Sequence, residues 1–118
     1  RQQLGFFDNL PEENQIDFLN FTVDSLGEST AGMENMVAQW ALGDTDALAA
    51  MMNAGLEDKI LYETLLINRN ANWAHWVEQR MKQPGTIFMA VGAGHLAGKG
   101  SLQAQLKKKG LNSSRIDY

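Results

Sequence analysis

The chain has 118 residues, 44% of them hydrophobic, enough for one domain with its own core. A net charge of −4 argues against non-specific nucleic-acid binding, and no apolar run approaches the roughly 20 residues that span a bilayer. The absence of cysteine removes disulfides and thiolate metal sites but leaves the compartment open.

In chain order, the first two-thirds reads as helix. Asn9 and Glu12 have capping-box spacing, with Pro11 where a first turn tolerates proline, and Ile16, Leu19, Val23 and Leu26 recur at helical spacing before Gly27. A second helix is predicted over residues 31–42, stopping at Gly43. Asp44 caps a third that ends near Gly55. A long helix comes next, over residues 57–81, and breaks at Pro84-Gly85. Residues 86–91 (Thr-Ile-Phe-Met-Ala-Val) are short, apolar on both faces and bounded by glycine, the pattern of a strand covered on both sides. Ser101 can cap a helix ending in Lys107, Lys108 and Lys109, where the helix dipole favours cations, and Gly110 closes it. Residues 112–118 read as a second strand with Ile116 inward.

The expected fold class is therefore α/β and helix-rich: a helical region over residues 1–83, then a βαβ unit over residues 84–118 with parallel strands near 86–91 and 113–118. Two strands are too few for a complete sheet, so a single-domain fragment of a larger protein is expected, with sheet edges exposed to a second copy.

Two residues stand out chemically. His95 comes after the expected strand, across a turn built on Gly92 and Gly94, where α/β sheets bind ligands, and the two glycines would let the backbone approach a bound group. Its imidazole suits metal ligation or proton transfer, but it can equally be a histidine that hydrogen-bonds at a strand end. Arg69 lies on one helical face with Tyr62, Leu66, Trp73 and Trp76. Its guanidinium either rests on the aromatics or reaches into a pocket, and a structural role is as plausible as a site role. Asn70 and Asn72 are polar neighbours, and His75 lies on the opposite face. The lysine run reads as a solvated helix end.

Residues 68–73 (Asn-Arg-Asn-Ala-Asn-Trp) and the run from Gly85 through Gly92-Ala93-Gly94-His95-Leu96 to Gly98 resemble the carboxy-terminal half of the TraB/GumN family. Residues 3–19, with Leu10-Pro11-Glu12-Glu13-Asn14-Gln15, resemble its segment ahead of the helical region. The resemblance implies a fold shared with erythromycin-esterase-like and ChaN-like proteins and with the TIKI proteases. Those enzymes depend on a divalent metal and are associated with two GxxH motifs and a glutamate. Gly92 to His95 matches the second GxxH, and the first is expected upstream of Arg1. The resemblance implies Arg69, Asn70 and His95 as catalytic, Arg69, Gly92 and Gly94 as substrate-binding, and His95 as a ligand of manganese, cobalt or zinc in the larger protein. It also implies a peptide or small-molecule substrate and a periplasmic or cell-envelope location. Two functions are expected from it: a metal-dependent hydrolase or peptidase, or a protein of the same fold that sequesters a peptide without turnover.

Overall fold

The computed structural model describes residues 2–56 and 58–116. Helix α1 (Gln2–Asp8) precedes α2 (Glu12–Ser25), and a 3-10 turn at Leu26–Glu28 leads into α3 (Ser29–Leu42). The Asn9–Glu12 capping box is not formed. Asn9 turns its side chain back to donate to the Gly5 carbonyl at 2.6 Å, and α2 starts after Pro11 with no side-chain cap. Asp44 does cap α4 (Thr45–Asn53): its carboxylate accepts from the Ala47 N–H at 2.9 Å, and Gly43 makes the preceding turn at φ +66°.

The long helix is present with an unexpected interruption, and Glu57, its expected first residue, lies outside the described residues. Capped by Asp58, α5 (Lys59–Tyr62) runs into a π turn at Glu63–Ile67 and continues as α6 (Asn68–Arg80). In the π turn the Asn68 N–H reaches the Glu63 carbonyl, five residues back. Such turns shift the register of the helix beyond them and are frequent at functional sites. At the far end of the chain, Ser101 caps α7 (Leu102–Lys108) by accepting from the Ala104 N–H at 3.2 Å.

The βαβ unit is not seen. Among the described residues there is no strand and no sheet, so the α/β assignment is corrected to helical. Residues 86–92 form no regular element, and no second strand pairs with them. Residues 87, 89 and 91 are half-buried, whereas Phe88, read as covered, is 94% exposed. One face of this segment rests on the helices and the other is open. Ile116, expected inward, is exposed, and residues 117 and 118 of the expected second strand lie outside the described residues. A strand exists by virtue of its ladder, and an apolar pattern alone does not supply the partner. Without a sheet, the argument for a homo-oligomer through sheet edges also lapses. No helix among the described residues is long and apolar enough to cross a membrane.

Most of the core is built from α4 onward. Leu61 and Leu66 of the long helix are almost fully buried, with Ala74 and Val77 further along it, Leu48 and Ala49 from α4, and Ala97 and Leu102 from the C-terminal part. Burying a leucine side chain stabilises by about 1.5–3 kcal/mol. Helix α7 packs along α6, and the 3-10 turn Ala93–His95 packs on α4. In contrast, α2 and α3 keep most of their apolar side chains exposed. The Cα radius of gyration is 16.1 Å, against about 13.5 Å for a compact domain of this length.

Candidate functional site

One turn of α6 carries the chemistry. Asn70, next to Arg69, is wholly buried and bridges two distant parts of the chain. Its Nδ2 donates to the Gly100 carbonyl at 2.7 Å, and its Oδ1 lies 2.8 Å from His95 Nδ1. A carbonyl only accepts, so the amide nitrogen must face Gly100 and the amide oxygen must face the imidazole. His95 Nδ1 therefore carries the proton it donates, and Nε2 is left with the free lone pair. Gly100 permits this geometry: a Cβ there would run into Ile67 Cδ1 and lie 3.1 Å from Tyr62 Oη. The sequence reading did not single out Gly100 as a point of close approach.

Trp73 stands between Arg69 and His95. Its ring meets that of His95 edge-on, with centroids 4.8 Å apart, and the Arg69 guanidinium lies 5.0 Å from its centroid. Arg69 Nη1 also donates to the Leu65 carbonyl, in the π turn, at 3.3 Å. From the other side α4 fixes the glycine turn. Asn53 Nδ2 donates to the Gly94 carbonyl at 3.1 Å, and a Cβ on Gly94 would sit 2.9 Å from Asn53 Oδ1. Gly94 thus serves close packing against a helix. Gly92 has an ordinary φ of −63°, and a Cβ there would meet only His95 Cδ2, at an ordinary contact distance of 3.9 Å. Asn53 carried no signal in the sequence, because its role depends on a partner 41 residues away.

These residues line a cleft of about 510 Å³, walled by Leu65, Leu66, Met52 and Leu56, with Asn53, Arg69, Gly92, Gly94 and His95 contributing polar surface. Burial lowers the pKa of His95 below the ordinary value for histidine, and the nearby Arg69 charge adds to the effect. The imidazole is neutral at pH 7, a base beside a fixed cation. A larger cavity of about 1130 Å³ lies between Trp40, Leu42, Leu96 and Arg115, and among the described residues no histidine or carboxylate lines it. The chemistry decides for the smaller cleft.

The metal expected at His95 fits these residues poorly. Among the described residues no three His, Cys, Asp or Glu side chains form a group that could hold an ion, and the cleft offers one imidazole next to a guanidinium. His75 is exposed and lies 3.5 Å from Glu78 on the outer face. The lysine run does more than cap α7. Lys109 pairs with Glu78 at 3.0 Å, tying the end of α7 to α6 and holding the Glu78 carboxyl below its usual pKa.

In this helical body a buried asparagine orients a histidine beside an arginine, and the cleft they serve combines a hydrogen-bonding imidazole, a fixed cation and apolar walls. The chain belongs to the TraB/PrgY/gumN family, whose model matches residues 1–115. No curated protein and no solved structure matches it.

Proposed function

We propose that this chain supplies part of the site of a hydrolase acting on peptide-like substrates that carry a carboxylate. The observation that carries the reading is the Asn70–His95 hydrogen bond, which leaves Nε2 of a neutral imidazole as the proton acceptor. Water adds to the scissile carbonyl as its proton passes to Nε2. The tetrahedral intermediate then collapses with cleavage of the C–N bond, Nε2 returning the proton to the leaving amine, while Arg69 holds the substrate carboxylate. The apolar walls take the aliphatic part of the substrate. A divalent ion belongs to this reading only with ligands from outside the described residues, His95 giving one, and no step here is routed through it. The family membership supports the class of protein, and the chemistry is our inference.

A second reading, sequestration of a peptide without turnover, is favoured by the lining itself. His95 is the one side chain among the described lining residues that bears an imidazole or a carboxyl group. The test is to incubate the full-length protein, wild type and His95→Ala, with a library of peptides bearing either a free carboxylate or a terminal amide. Products are read by mass spectrometry and binding by calorimetry. Hydrolysis of the carboxylate forms that disappears with His95→Ala supports the hydrolase. Carboxylate-dependent binding without products supports sequestration, and neither binding nor turnover overturns both.

A further inference from the structure

The outer face of α2 is apolar, and its apolar side chains are largely exposed among the described residues. Ile16, Leu19, Val23 and Leu26 are each at least half exposed and recur at i, i+3, i+7 and i+10, the spacing of a coiled-coil seam. Glu13, Asp17 and Asp24 run beside this stripe at i, i+4 and i+11, all exposed, and none forms an ion pair with a described residue. The wider charge distribution is one-sided. Residues 2–58 hold eleven of the fourteen acidic residues and no lysine or arginine, while residues 59–118 hold nine of the ten basic ones.

We infer that this face docks an amphipathic helix of a partner polypeptide that presents lysine or arginine beside its apolar seam. The seam spacing selects a helix of about two heptads, since residues 16–26 extend over about 15 Å. The acidic strip selects its charge. A second copy of α2 laid antiparallel on this face would set carboxylates against carboxylates, with no lysine or arginine between residues 2 and 58 to relieve them. An anionic membrane surface is disfavoured for the same reason. The inference is independent of the cleft and of its proposed chemistry.

The probe is a fluorescent amphipathic helix of leucine and lysine, with the same peptide carrying glutamate for lysine as control, titrated into the full-length protein and read by anisotropy. The lysine peptide should bind and the glutamate peptide should not. Raising the salt from about 0.05 to 0.3 M should weaken binding by at least about tenfold. Leu19→Ser with Val23→Ser should weaken it by about tenfold or more. Asp17→Lys with Asp24→Lys should shift preference to the glutamate peptide, which general stickiness would not do. All four positions are exposed, so an unchanged melting temperature verifies the fold of each variant. Equal binding of both peptides, or an unchanged preference after charge reversal, overturns the proposal. So does a wild-type dimer in sedimentation that Leu19→Ser with Val23→Ser dissociates, because the occupant is then a second copy.

Discussion

His95 Nδ1 lies 2.8 Å from Asn70 Oδ1, and this contact joins the glycine turn to the middle of the longest helix across 25 residues of sequence. Asn70 reaches in the other direction to the Gly100 carbonyl. One buried amide thereby fixes both the position of the histidine and which of its nitrogens carries the proton.

Asn70→Leu keeps similar volume and removes both partners. It leaves the Gly100 carbonyl and the imidazole N–H unpaired in a buried setting, at about 1–3 kcal/mol for each unsatisfied group. Urea unfolding should show a loss of that order. Asn70→Asp should be the more informative variant. Its carboxylate favours the imidazolium and should raise the pKa of His95, which proton NMR titration of the ring measures.

His95→Ala should cost less than Leu61→Ala, a core truncation in the range of about 2–5 kcal/mol, its loss coming mainly from the Asn70 Oδ1 left unpaired, about 1–3 kcal/mol. His95 is half-buried and contributes one hydrogen bond and one ring edge, whereas Leu61 is 2% exposed. Melting curves of the two variants make the comparison. Equal losses would mark His95 as a structural residue.

Arg69→Ala removes the guanidinium from Trp73 and from the Leu65 carbonyl, so both stability and carboxylate binding should fall. Arg69→Lys should restore little binding, because an ammonium lacks the planar fork. The alanine variant also tests the electrostatics: it should raise the His95 pKa, since the arginine charge is one of the two causes that lower it.

The depressed His95 pKa also sets a pH dependence. The unfolded chain takes up a proton near the ordinary value of about 6.5, before the folded site does. This contribution to stability is complete above that pH and is lost as pH falls toward the lower folded pKa. Melting temperature should drop across that window, and His95→Gln should flatten the drop.

Much of the helical part was legible because its signals are local. Asp44 and Ser101 cap where their sequence spacing places them, and Gly110 closes α7 at φ +75°. Arg69 and His95, selected from pattern and resemblance, line one cleft, and Asn70, selected with them, is buried behind it and bonded to His95. The expected strands failed because residues 86–91 show what a strand looks like without showing what pairs with it, and one face of the segment is open. The π turn has no compositional signature. The roles of Asn53 and Gly100 depend on contacts 30 to 41 residues away, which no spacing rule reaches.

Calorimetric titration with manganese, cobalt or zinc should give no tight stoichiometric binding by these 118 residues, since one imidazole beside a guanidinium is too small a donor set. Tight binding lost in His95→Ala would reverse that expectation.

The most direct measurement is nitrogen-15 NMR of the His95 ring near pH 7, with and without a carboxylate peptide. The account predicts a neutral ring protonated at Nδ1 with an unprotonated Nε2, a resonance that moves when the peptide binds and stays still in Arg69→Ala. A ring protonated at Nε2, or one already doubly protonated at that pH, would contradict it.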